Sequence, residues 1–64
     1  MYEYRTGGGR IDIFDSAAEL RRELSEYAVM DSATITRIIN ETDTHGVYTY
    51  VSGSGLMRRF RRLG

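Results

Sequence analysis

The chain has no cysteine and a single histidine, His45. No disulfide can staple the fold, no thiolate can hold a metal, and one imidazole cannot build a histidine-rich metal centre. No cofactor motif is present either, so no cofactor is expected. Lack of cysteine fits a reducing compartment. Lysine is also missing: all nine basic residues are arginine. Arginine codons are GC-rich, and the guanidinium suits planar, bidentate and stacked contacts better than an ammonium. No apolar run approaches the roughly 18 residues of a membrane span. Met1-Tyr2-Glu3-Tyr4-Arg5 lacks the basic-then-apolar order of a signal peptide. The expectation is a soluble cytoplasmic protein with no membrane partner.

What is present is short. Sixty-four residues make one small domain with one core. A chain of this size buries only about 60% of the surface its unfolded form exposes. Without a staple, extra stability has to come from idealised packing, from self-association as a homodimer, or from a binding partner.

The net charge is zero but unevenly spread. Residues 1–55 hold all nine acids and five arginines, and residues 56–64 hold four arginines and no acid. An acidic body with a basic end hints at an interaction surface and says nothing about fold.

The clearest helical signature runs from Ser16 to Met30. Ser16-Ala17-Ala18-Glu19 reads as a capping box, with the Ser16 hydroxyl accepting from the Glu19 amide and the Glu19 carboxylate reaching back to the Ser16 amide. Ala17, Leu20, Leu24, Tyr27 and Ala28 recur at helical spacing, and Arg22 can pair with Glu26 one turn on. The pattern predicts a helix over 17–29.

The rest alternates. Tyr2 and Tyr4 against Glu3 and Arg5, then Ile11 and Ile13, predict a hairpin of strands 2–6 and 10–14 turned by Gly7-Gly8-Gly9. Those glycines are a turn and not a phosphate cradle, because neither G-x-x-x-x-G-K-[ST] nor G-x-G-x-x-G is present. Asp31-Ser32 is either a break or the cap of a second helix. The β-branched run Thr34, Ile35, Thr36, Ile38 and Ile39 decides for a strand over 33–41. Val47 to Ser52 alternates as a further strand. Ser52-Gly53-Ser54-Gly55 reads as a flexible joint, so 53–64 becomes a joint followed by a basic segment. Leu56, Phe60 and Leu63 fit a short helix there, with a meander strand as the alternative.

The predicted architecture is α+β: one antiparallel sheet in ββαββ order, one covering helix and a short basic C-terminal element. In this reading Ile11, Ile13, Ile35, Ile39, Val47 and Val51 pack against Leu20, Leu24 and Tyr27.

Partner-binding candidates follow from that arrangement. Arg58, Arg59, Arg61 and Arg62 around Phe60 combine charge with a ring that could stack on a base. The bland alternative is a solvated basic face docked through Leu56, Phe60 and Leu63. With the Ile/Val face covered, Tyr48 and Tyr50 point outward, and tyrosine beside arginine is the composition of a protein-binding hot spot. Alternatively, those rings cover a thin core. Glu19, Glu23 and Glu26 with Asp15 and Asp31 form an acidic flank, explained in part by the helix dipole. His45 beside Asp43 makes no triad, since no motif places a nucleophile; Ser52 and Ser54 sit among glycines as loop serines do. An enzyme is not expected.

Two stretches carry a resemblance. One is Ile11-Asp12-Ile13-Phe14-Asp15-Ser16-Ala17-Ala18-Glu19-Leu20, a strand running into a capped helix. The other is Thr34-Ile35-Thr36-Arg37-Ile38 returning through Gly46 into Val47-Tyr48-Thr49-Tyr50-Val51. In size and element order the chain resembles small phage-encoded anti-defence proteins, the compact anti-CRISPR proteins in particular. The resemblance implies a non-catalytic inhibitor, acting in the cytoplasm of a bacterial host, that occludes a CRISPR-Cas effector by protein–protein contact. It assigns no role to any single residue. The competing expectation is a small nucleic-acid-binding protein that grips DNA or RNA through its C-terminal arginines.

Overall fold

Tyr2–Thr6 (β1) and Ile11–Phe14 (β2) form the expected N-terminal hairpin in the computed structural model, which describes residues 1–64. Gly9 closes its turn at φ +88°, a region that suits a residue without Cβ, and donates its N–H to the Thr6 carbonyl at 3.1 Å.

Helix α1 covers Ala17–Glu26. The Ser16 hydroxyl accepts from the Glu19 amide at 3.2 Å, as the capping box requires. The Glu19 carboxylate instead takes the Asp15 N–H at 3.1 Å, one residue upstream of the expected Ser16 amide. Arg22 and Glu26 pair at 3.5 Å. Leu20 and Leu24 are fully buried. The helix stops three residues short of the predicted end. Tyr27 caps it, Val29 turns the chain at φ +52°, and the Met30 N–H reaches back to the Leu24 carbonyl at 3.1 Å. With the helix ended, Tyr27 leaves the apolar stripe and lies 75% exposed, not in the core.

The segment 33–41 is not a strand. It lies inside a second helix, α2, Ser32–His45, with Asp31 as its N-cap residue. Ile35, Ile38, Ile39 and Thr42 recur at helical spacing, and all four are buried. β-Branching costs a helix at most about 0.7 kcal/mol per residue, whereas burying each isoleucine stabilises by roughly 1.5–3 kcal/mol. Packing therefore overrides propensity. The Thr42 hydroxyl donates to the Ile38 carbonyl at 2.7 Å, which satisfies it inside the core. Gly46, at φ +81°, ends the helix and bonds the Thr42 carbonyl at 2.8 Å.

The fourth strand comes from the C-terminus. Val47–Val51 (β3) returns through Ser52–Gly55 into Met57–Arg62 (β4). Gly55 N–H bonds the Ser52 carbonyl at 2.9 Å, and the Ser52 hydroxyl accepts from Leu56 N–H at 3.1 Å. Residues 52–55 thus form a tied hairpin loop where a flexible joint was expected, and 57–62 is a strand where a short helix was expected.

The fold is α+β with a single antiparallel four-stranded sheet, ordered β2-β1-β4-β3 and covered on one face by two helices where one was expected. The β1–β4 pairing places the first and last strands side by side at its centre. No helix is long and apolar enough to cross a membrane.

The sheet is turned over relative to the predicted packing. Tyr2, Tyr4 and Phe60 are buried with Leu20, Leu24, Ile35, Ile38 and Ile39, and Phe14, Tyr48 and Tyr50 pack against them. Ile11, Ile13, Val47 and Val51 are exposed on the other face. Strand parity allows only one choice, since a shift by one residue exchanges the two faces. Each aromatic ring buries on the order of 150–250 Å², more than Ile or Val, so a thin domain gains more by turning its rings inward. No buried side-chain polar atom lacks a hydrogen-bond partner.

Candidate interaction surface

The seven predicted partner-binding residues fall on both sides of the sheet. Phe60 is only 1% exposed. It lies directly between Tyr4 and Tyr48 in register, and it stacks on Tyr4 with centroids 4.9 Å apart. It is therefore a core ring and presents no face to a nucleobase. Tyr48 and Tyr50 are half-buried under the helices and do not project outward.

Arg58 and Arg62 share the covered face with Phe60. The Arg58 Nε donates to the Tyr4 hydroxyl at 2.9 Å. Arg62 lies opposite Tyr2 in register. The Tyr2 hydroxyl donates to Asp43 Oδ1 at 2.6 Å. That bond holds the phenol proton and raises the Tyr2 pKa above its usual value; burial and the Asp43 charge add to the rise, and Arg62 opposes it. Both arginines thus lie on the covered face beside the core tyrosines, and Arg58 gives the Tyr4 hydroxyl its polar partner.

Arg59 and Arg61 have the opposite parity and lie on the face no helix covers. Cross-strand neighbours define that surface. One row runs Ile13, Glu3, Arg61, Val47; the next runs Ile11, Arg5, Arg59, Thr49; Met57 and Val51 pair beyond them. Glu3 and Arg5 pair with each other at 3.1 Å. Arg59 and Arg61 form no ion pair, and the ion pairs of the molecule engage other residues. The two central strands thus carry an arginine stripe, and the edge strands flank it with exposed Ile11, Ile13, Val47 and Val51. A shallow depression of about 300 Å³ opens between Arg5, Gly7, Gly9, Ile11, Met57 and Arg59.

Residues 3, 5, 11, 13 and 57 were not among the sequence candidates. Their signal was parity: once Tyr2, Tyr4 and Phe60 are taken as core, every odd position of β1, β2 and β4 turns to the open face.

The remaining candidates resolve into local structure. His45 Nε2 pairs with Glu41 at 3.2 Å, one turn back on α2, while Asp43 is engaged by Tyr2. Ser52 and Ser54 hydroxyls bond each other at 2.9 Å in the β3–β4 loop. These contacts bring no serine to His45. Glu19, Glu23 and Glu26 of the acidic flank line a surface depression together with Arg22, Phe14 and Tyr27.

Comparison of the chain with protein families, with curated proteins and with solved structures finds no match.

Proposed function

We propose that this protein is a non-catalytic binder that applies its open sheet face to a protein target. The observation that carries the reading is the pair Arg59 and Arg61, free of ion pairs and set between exposed aliphatic side chains. Arginine and methionine among apolar residues, with lysine absent, is the composition of a protein interface core. The six aromatic residues of the sheet lie on its other face, so a single-stranded nucleic acid would find phosphate contacts here but no rings to stack on. The matching target surface is apolar with one or two carboxylates to meet the free guanidiniums.

The resemblance to anti-CRISPR proteins supplies the narrower form of the proposal: an inhibitor that occludes a CRISPR-Cas effector. It now rests on 11–20, because 34–38 is helical and does not form the hairpin partner of 47–51. Plaque assays in bacterial hosts carrying defined CRISPR-Cas systems test this form. Restored phage growth is expected, and it should vanish with Arg59→Ser plus Arg61→Ser in a chain that stays folded. Growth restored equally by the double variant would remove the open face from the mechanism.

A salt titration of binding to a random DNA duplex and to single-stranded RNA addresses the nucleic-acid alternative. Arg5, Arg59 and Arg61 could neutralise up to about three phosphates, which gives a log–log slope near −3 on duplex. Tight binding at physiological salt with that slope would replace the protein target by a nucleic acid.

A further inference from the structure

We propose that two copies of this chain pair antiparallel along the free edge of β3, with Thr49 opposite Thr49 on the two-fold axis. The inference is independent of what the open face binds.

β3 is an outer strand of the sheet. Its bonding direction follows from its two ends. The Gly46 carbonyl accepts from Arg62 N–H at 2.8 Å, and Ser52 N–H donates to the Leu56 carbonyl at 3.0 Å. Antiparallel pairs alternate, so the even residues between them, Tyr48 and Tyr50, also bond to β4. The odd residues Val47, Thr49 and Val51 therefore direct three N–H and three C=O groups away from the sheet.

Nothing on the strand protects that edge. Natural sheets blunt their edges with lysine, proline, bulges or inward-pointing charge. Val47-Tyr48-Thr49-Tyr50-Val51 has none of these, and every residue is β-branched or aromatic. The opposite edge is protected. β2 carries Asp12, paired with Arg10 at 3.0 Å, and self-pairing of β2 through its outward groups with Ile11 opposite Ile13 would set two Asp12 carboxylates opposite each other.

The sequence of the edge names its occupant. Val-Tyr-Thr-Tyr-Val reads the same in both directions about Thr49. An antiparallel second copy thus brings Val47 opposite Val51, Thr49 opposite Thr49 and Tyr48 opposite Tyr50. Every position meets its own kind, no like charges oppose, and the outward groups of the odd residues exchange main-chain bonds. Thr–Thr and aromatic pairs across strands are among the favourable ones. Tyr48 and Tyr50 would meet at the closely spaced, non-bonded positions, where side chains approach best. On the open face the two copies would merge Val47, Thr49 and Val51 into one apolar band, with an arginine stripe on each side.

Sedimentation equilibrium of the full chain tests the pairing. A mass twice the 7.3 kDa of one chain is expected at concentrations of about 100 µM, since so short an edge buries less than the roughly 1,600 Å² of a standard interface. Val47→Glu with Val51→Glu opposes carboxylates at both outer pairs and should weaken the dimer at least about tenfold. Val47→Glu with Val51→Lys sets opposite charges at the same pairs and should restore it. Both variants change exposed positions, and circular dichroism checks that each stays folded. Amide exchange on the unaltered chain reads the same edge without mutation: Val47, Thr49 and Val51 should gain protection as concentration rises. A wild-type chain that stays monomeric, two double variants that behave alike, or concentration-dependent protection at Ile11 and Ile13 instead would each overturn the proposal.

Discussion

Phe60 lies flat against Tyr4, with ring centroids 4.9 Å apart and planes 4° from parallel. The two residues are opposite each other in register on the two central strands. The stack therefore joins the beginning of the chain to its end at the middle of the core, beneath the helices that carry Leu20, Leu24, Ile35 and Ile38. An aromatic pair of this kind adds about 0.5–1.5 kcal/mol beyond the area it buries.

Phe60→Ala should cost roughly 3–5 kcal/mol, a large part of what a small domain has. Chemical denaturation followed by circular dichroism measures it. A midpoint unchanged from wild type would mean that 57–62 is a detachable basic tail and not the central strand.

Stability should fall at alkaline pH because of Tyr2. Its pKa is raised above 10.0 in the folded chain, chiefly by the bond to Asp43. As pH climbs past the unfolded value, the unfolded chain ionises first and gains relative to the folded one. The contribution of the bond is thus complete below about pH 10 and is lost as pH rises through the folded pKa. Melting temperature against pH, compared with Tyr2→Phe, shows the effect. The variant should be less sensitive above pH 10, and equal slopes would contradict the bond.

Val29→Gly should stabilise by about 1 kcal/mol. A β-branched residue at φ +52° carries strain on the order of 1–3 kcal/mol, and glycine relieves it while giving back part through its freer unfolded chain. Val29 is 82% exposed, so little packing is lost. A lower denaturation midpoint for the variant would show that the valine side chain holds the α1–α2 corner.

Ser16→Ala should cost on the order of 1 kcal/mol, because it removes the oxygen that takes the Glu19 amide. Ser16→Asp, which keeps an acceptor at the helix N-terminus, should retain most of the stability. A denaturation series on the two variants separates them, and equal losses would mean the cap contributes nothing.

Local signals were legible where one short segment decided its own structure. The Ser16 cap on the Glu19 amide, the glycine turn at 7–9 and the alternation of β1, β2 and β3 all read correctly from neighbours in sequence. What was not legible depended on distant partners. The isoleucines of 35–39 satisfy a helix as well as a strand, and only their packing beside Leu20 and Leu24 chooses the helix. The Arg-rich end reads as a tail until β1 and β3 are known to flank it, since four charged residues in a central strand are disfavoured on composition alone. Sheet parity was the costliest ambiguity. Taking Ile11 and Val47 as core sent Tyr48 and Tyr50 outward and left the free arginines of the open face unseparated from Arg58 and Arg62.

The pairing of β1 with β4 also sets the order in which the molecule can be made. The Arg58–Tyr4 hydrogen bond spans 54 positions of sequence, and the Leu63 N–H donates to the Met1 carbonyl at 2.8 Å. On the ribosome, a nascent chain that has emerged only as far as Val51 holds β1 with an empty flank and β3 with no strand beside it. Neither helix has a finished sheet to cover. Contacts of such range slow folding. Here they also postpone it: the sheet can close only after Arg62 has cleared the exit tunnel.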